Sequence, residues 1–202
     1  GDCLTVLPTL ATVDSVITDP PYEAIMHKAK ASASRRIRSD GGPDIKPLDF
    51  DCIDDIRDDI ANLIAGMCDG WSLIFCAPEG VGRWADVINA SNAKYKRACI
   101  WVKPDSTPQR GVYTHLTNSR DRHGTHPTEK PVRLMKELIA DFTNQGDLIA
   151  DPFMGSGTTG VACAQMGRKF VGIEKSREYF DIACERIEDA YRQPDLLLAA
   201  GI

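Results

Sequence analysis

Leu148-Ile149-Ala150-Asp151-Pro152-Phe153-Met154-Gly155-Ser156-Gly157-Thr158-Thr159-Gly160 is the stretch on which the fold turns. Its three leading apolar residues predict a short buried strand, Asp151 and Pro152 end that strand, and the stretch from Thr158 to Gly167 predicts a helix. Glycines belong where a backbone turns sharply and where a ligand must approach it without a Cβ in the way. The helix that follows opens with N–H groups that lack an intrahelical partner. Gly155, Gly157 and Gly160 fit the dinucleotide pattern G-x-G-x-x-G, whereas no lysine stands where a Walker phosphate loop needs one. Asp151 just upstream and Glu174 at the end of the next predicted strand add two acidic groups. An acidic residue in that second place accepts hydrogen bonds from both hydroxyls of a ribose, which suits an adenosine-bearing ligand with or without phosphates.

Strand and helix patterns alternate on both sides of this segment. Ser15-Val16-Ile17-Thr18 predicts a short buried strand, Trp71 to Cys76 a second, Arg97 to Val102 a third and Phe170 to Ile173 a fifth after the one at residues 148–150. Helices are predicted around 53–68, near 80–91, from Pro131 to about Thr143, and from a Ser176 cap to about Tyr191. Ile53, Ile56, Ile60, Leu63, Ile64 and Met67 recur at helical spacing beneath Asp54, Asp55, Asp58 and Asp59, so those aspartates form a solvated face. Alternation of this kind builds an α/β domain with a mostly parallel sheet and helices on both faces. Between Pro104 and His126 only a weak strand pattern, Val112-Tyr113-Thr114, breaks a loop-like interval.

The second chemical segment is Asp19-Pro20-Pro21-Tyr22, at the carboxyl end of the first predicted strand, where open α/β sheets bind their ligands. Two prolines stiffen the turn and remove backbone donors, which leaves the Asp19 carboxylate and the Pro20 carbonyl to face outward as acceptors. An aromatic ring follows at Tyr22. Two acceptors beside a π-face suit an exocyclic amino group, with its two N–H donors, on a stacked planar base.

With 202 residues and 22.2 kDa, the chain suits one compact domain, 1–202. Its formal charge of −5 excludes a protein that coats nucleic acid by bulk positive charge. The charge is uneven, however: the window from His27 to Arg38 carries +5 through Lys28, Lys30, Arg35, Arg36 and Arg38. The window from Lys103 to Lys136 carries +4, Arg110, Arg120 and Arg122 among its basic residues, which leaves −14 on the remainder. Both windows are rich in Ser, Thr, Gly, Asn and Arg, and read as loops able to close on a polyanion. Seven cysteines without a Cys-x-x-Cys pair or a Cys/His cluster argue against structural zinc and a disulfide framework, and most sit in apolar runs as small buried hydrophobes. No apolar run approaches the ~18 residues that span a bilayer, so a soluble, cytoplasmic protein is expected, with no membrane partner.

Asp19-Pro20-Pro21-Tyr22, the Asp151 to Gly160 segment and His126-Pro127-Thr128-Glu129-Lys130-Pro131 resemble the signature motifs of S-adenosylmethionine-dependent DNA amino-methyltransferases. With the catalytic motif first and the cofactor glycines last, the order is similar to that of the permuted β group. The resemblance implies a Rossmann-like methyltransferase fold, a largely parallel seven-stranded sheet with one antiparallel strand and helices on both faces. It implies that Asp151, Phe153, Gly155 and Gly157 line the methionine end of the cofactor, with Ser156 and Thr158 presenting backbone or hydroxyl groups and Glu174 holding the ribose. Asp2 and Cys3 resemble the segment that meets the adenine amino group, and Lys130 and Pro131 the motif before the helix packed beside the cofactor. Implied too are a catalytic role for Asp19, Pro20, Pro21 and Tyr22, S-adenosylhomocysteine as the product, no metal, and double-stranded DNA as partner, with a homodimer left open.

The chemistry is consistent with this. An exocyclic amine whose lone pair is delocalised into the ring is a poor nucleophile, while a sulfonium methyl is a good electrophile. Acceptors on both amino hydrogens favour a pyramidal nitrogen, and positioning and electrostatics supply the rest. A base inside a duplex must first be flipped out. Asp rather than Ser before Pro-Pro-Tyr resembles the adenine-N6 branch more than the cytosine-N4 branch. The family places its target-recognition region where 104–125 is short here. Two readings of other classes stay open at this point: a nicotinamide-dependent oxidoreductase, from the three glycines, and a catalytically silent DNA-binding module.

Overall fold

The computed structural model describes residues 1–23, 52–102, 112–114 and 129–192. Six strands are present there: β1 (Val13–Thr18), β2 (Cys68–Ile74), β3 (Ile100–Val102), β4 (Val112–Thr114), β5 (Leu148–Asp151) and β6 (Lys169–Gly172). Four of them form a parallel sheet in the order β2-β1-β5-β6, while β3 and β4 form a separate parallel pair. The helices are α1 (Cys3–Val6), α2 (Arg57–Met67), α3 (Val81–Ala90), α4 (Val132–Phe142), α5 (Thr158–Gln165) and α6 (Arg177–Arg192). None of the described helices is long and apolar enough to cross a membrane.

The sheet is covered on both faces because successive strand residues point to opposite sides. Val16 and Ala150 pack with Cys3, Leu7, Ile60, Ile64 and Trp84 against α1, α2 and α3. Their neighbours Ile17 and Ile149 pack with Leu134, Leu138, Ile139, Ala162 and Cys163 against α4 and α5. Ile17, Ile139 and Ile149 are fully buried, and each contributes roughly 1.5–3 kcal/mol through burial. On α4 the buried positions Leu134, Met135, Leu138 and Ile139 recur at the helical period. The chain enters α4 through the extended Pro131 and leaves it at Thr143, whose hydroxyl donates to the Ile139 carbonyl at 2.6 Å.

Of the seven strands expected, the described residues hold six, and every pairing among these is parallel. β3 and β4 bond to each other and extend neither edge of the main sheet. β3 is also shorter than the sequence suggests, so Cys99 is exposed and Ile100 is 58% exposed instead of being core residues. The aspartates of the predicted acidic face, Asp54, Asp55, Asp58 and Asp59, do lie exposed above buried Ile53 and Ile60.

Topology positions the site. From β1 the chain passes through α2 to β2 on one side, and from β5 through α5 to β6 on the other. The gap between β1 and β5 is therefore the point where the connections diverge, and in open α/β sheets ligands bind outside the carboxyl ends of the strands at such a point. Thr18-Asp19 and Asp151-Pro152 close those two strands side by side.

Candidate functional site

The two strand ends are joined by side chains. The Thr18 hydroxyl donates to Asp151 Oδ1 at 2.7 Å, the Thr159 hydroxyl donates to Oδ2 at 2.7 Å, and the Phe153 N–H donates to Oδ1 at 3.1 Å. Asp151 is only 3% exposed, and burial pushes its carboxyl up from 3.8 to about 6 against the lowering effect of those three donors, with the nearby Asp19 charge pushing it further up. The folded state thus holds this proton more tightly than the unfolded chain. Its contribution to stability is full below pH ~4 and is lost as pH rises through about 6. Replacing Asp151 with Asn keeps the shape and removes the titration. The stability of Asp151→Asn relative to wild type is expected to rise by about 3 kcal/mol between pH 4 and pH 7, measured by urea denaturation of the ligand-free proteins. A difference flat with pH would refute this assignment.

The glycine segment bends over Asp151. Gly155 and Gly157 have φ of 52° and 82°, in the left-handed region that side chains avoid. Gly157 is the N-cap of α5, and a Cβ there would stand 2.9 Å from Ala183 Cβ and 3.0 Å from its Cα, so the loop also has to pass close beneath α6. Gly160 serves packing: a Cβ would collide with Ile187 and Phe170. Glu174 closes the loop from the end of β6. Its Oε2 accepts from Gly155 N–H at 3.0 Å and its Oε1 from Ser176 N–H at 2.8 Å, which leaves one lone pair on each oxygen. The Gly1 nitrogen donates to the Glu174 carbonyl at 2.8 Å and brings Asp2 and Cys3 to the same edge. Asp2 caps α1 through Leu4 N–H, and Cys3 is buried, its thiol pushed up by burial first and by Asp2 next.

Across the switch point lies the Asp19 segment. The Lys130 ammonium pairs with Asp19 Oδ2 and stands over two aromatic faces, 5.5 Å from the Tyr22 centroid and 5.2 Å from that of Phe75. Burial, then the Asp19 charge, push the Tyr22 phenol far above its ordinary value, so it stays neutral at any working pH. One buried and one partly buried arginine brace the surroundings. Arg57, 1% exposed, pairs with Asp54 at 2.6 Å, reaches Glu23 at 3.6 Å and lies over Trp84 at 5.7 Å. Arg186 donates to Glu129 Oε1 at 2.6 Å, to the Ser156 carbonyl at 2.6 Å and to the Ser156 hydroxyl at 2.8 Å.

Asp2, Cys3, Asp19 to Tyr22, Lys130, Pro131, Asp151 to Thr158 and Glu174 are thus all gathered at the carboxyl edge of β1, β5 and β6. Some face differently from the expectation: the Lys130 ammonium lies on Asp19, and the Ser156 hydroxyl and carbonyl are taken by Arg186. Lys28, Lys30, Arg35, Arg36, Arg38, Arg110, Arg120 and Arg122 lie outside the described residues, as does 104–125 apart from β4. Sequence reasoning missed Thr18, Thr159, Phe75, Arg57 and Arg186. For the two arginines a signal existed: Arg186 falls between Ala183 and Ala190, and Arg57 before Ile60 and Ala61, each a lone cation on the apolar face of its helix. No such signal marks the threonines, whose role depends on another strand.

Comparison with known proteins gives the family and the fold. A family model described as DNA methylase matches residues 84–185. The type II methyltransferase M2.DpnII of Streptococcus pneumoniae is 51% identical over 65 residues, which are 32% of this chain and 24% of that protein. The match thus spans about a quarter of that relative's length. Among solved structures, M1.HpyAVI in its complex with SAM superposes with a TM-score of 0.67 at 22% identity, over 93% of this chain and 96% of that one. The cytosine-N4-specific PvuII DNA methyltransferase superposes with a TM-score of 0.62 at 17% identity, over 96% and 90% of the two chains. At these identities the two superpositions establish the fold.

Proposed function

Because the chain belongs to the N6/N4 DNA methylase family, we propose that it transfers a methyl group from S-adenosylmethionine to the exocyclic amino group of a base flipped out of double-stranded DNA, adenine N6 first. The observation that carries this reading is the buried 2.7 Å hydrogen bond from Thr18 to Asp151, which sets the Asp19-Pro20-Pro21-Tyr22 turn beside the glycine segment at the switch point. One motif offers acceptors and a ring to a base; the other offers a backbone cradle to a nucleoside.

The residues of the cradle fit the sulfonium cofactor better than a dinucleotide. A diphosphate calls for positive charge or free N–H groups at the glycines, yet the acidic groups here are Asp151 and Glu174. Of the described cations nearby, Lys130 and Arg186 are engaged by Asp19 and Glu129, and the exposed Lys175 reaches Asp2 at 4.0 Å. Ionising the buried Asp151 costs the protein stability above pH ~6, a cost that a cationic ligand offsets. Asp151, Phe153, Gly155 and Gly157 would hold the methionine end, Glu174 the ribose through its free lone pairs, and the Asp2-Cys3 segment the adenine. When bound, the cofactor supplies an electrophilic methyl group. Asp19 and the Pro20 carbonyl accept the amino hydrogens of the target, Tyr22 stacks on its ring, and enclosure excludes water.

Labelled S-adenosylmethionine incubated with unmethylated mixed-sequence duplex is expected to deliver label to DNA. Digestion to nucleosides and mass analysis should then give N6-methyladenine. N4-methylcytosine alone would move the assignment to cytosine, in keeping with the shared fold of the PvuII enzyme. Binding of a reduced nicotinamide dinucleotide with no affinity for S-adenosylhomocysteine would overturn the proposal.

A further inference from the structure

Lys130 and Asp151 frame a contrast within one site. Asp151 has both carboxylate oxygens bonded, to Thr18 and Phe153 on one side and Thr159 on the other. Asp19 differs: Lys130 takes Oδ2 and the Tyr22 phenol lies beside the carboxylate, whereas the buried Oδ1 has no hydrogen-bond partner. Buried polar atoms are nearly always bonded; Glu129 Oε2 and both oxygens of Glu23 share this lack of a partner, so what singles out Asp19 Oδ1 is its place just after the carboxyl end of β1, where open α/β sheets bind their ligands. The Lys130 side chain is itself 9% exposed and is held on each side along the chain, by the Glu129–Arg186 ion pair and by the fully buried Pro131 that opens α4. An ammonium so fixed sets the rotation of the carboxylate it grips.

We propose that Lys130 is a positioning residue for the acceptor of the target amine: by binding Asp19 Oδ2 it fixes the carboxylate so that Oδ1 is presented to the exocyclic N–H. The proposal rests on the amino-methyltransferase reading above. A carboxylate free to rotate about its Cβ–Cγ bond presents each oxygen in turn, and the aim of its lone pairs is averaged. With one oxygen tethered, the other points one way. The two aromatic faces beneath the ammonium, Tyr22 and Phe75, favour a cation there in the absence of solvent. Lys130 thereby couples the start of α4 to the turn after β1 without itself touching the reacting atoms.

The test compares Lys130→Met and Lys130→Arg with wild type, in single-turnover methyl transfer from labelled S-adenosylmethionine to unmethylated duplex, alongside calorimetric titration of the cofactor. Lys130→Met is expected to lower the transfer rate about a hundredfold, the loss that a misplacement of about 1 Å produces, while the cofactor dissociation constant and the KM for DNA stay within about threefold. Lys130→Arg keeps the charge and should recover at least about a tenth of the wild-type rate. Lys130→Gln, a neutral donor, replaces Lys130→Met if the latter does not fold, with a loss of the same order expected. Transfer by a folded, uncharged variant at the wild-type rate would overturn the proposal. So would a loss of cofactor affinity that matches the loss of rate, since that would place Lys130 in the cofactor cradle. Absence of transfer by wild type, with cofactor still bound, would instead remove the amino-methyltransferase reading on which the proposal rests.

Discussion

Asp19→Ala is expected to lower the rate of methyl transfer by about a thousandfold or more while changing cofactor affinity by less than about tenfold. The separation follows from where the two groups of residues sit. Asp19 follows β1, and its bonded partner is Lys130, whereas the cradle is built from the segment after β5 and the end of β6. Removing the carboxylate takes away the acceptor that orients the amine and leaves Gly155, Gly157 and Glu174 in place. It also leaves the Lys130 ammonium, 9% exposed, without its counterion, so some loss of stability comes with the loss of rate. Asp19→Asn distinguishes the two effects. It keeps an oxygen for Lys130 and should recover the stability but not the rate, because the remaining amide group donates toward the amine. Full activity in a folded Asp19→Ala chain would show that another group receives the target.

Arg186→Met is expected to lower the unfolding free energy by about 3–5 kcal/mol. Glu129 has a side chain with no exposure at all, and its Oε2 already lacks a partner, so Arg186 is what makes the buried carboxylate tolerable. The same guanidinium holds the Ser156 carbonyl and hydroxyl, so the glycine segment should loosen and cofactor affinity should fall with stability. The double variant Glu129→Gln/Arg186→Met removes the stranded charge along with its partner and should restore more than half of the lost stability. Urea midpoints of the three chains decide it: a single variant as stable as wild type would show that Glu129 does not depend on Arg186.

Much of this was legible because it is local. Apolar spacing gave five of the strands and five of the helices to within a few residues, and Val112-Tyr113-Thr114, the weakest pattern, is β4. The glycines announced a turn with positive φ, and two prolines after Asp19 announced a rigid one. What the pattern did not give was the pairing of β3. Arg97 to Ile100 carries the right residues, but which edge a strand joins depends on contacts distant in sequence, and its partner β4 lies beyond a loop.

The sequence by itself determined the class of fold, the two chemical motifs and their order along the chain, because periodicity, turn chemistry and residue type act over a few residues. The tertiary structure alone decided who meets whom. Asp19 and Lys130 are separated by 111 positions, Thr18 and Asp151 by 133, and Ser156 and Arg186 by 30, and no short-range rule relates them. Placing β1 beside β5, with their connections leaving in opposite directions, brings a carboxylate that needs a partner to a lysine that has one to give. One oxygen of Asp19 is left buried without a hydrogen-bond partner.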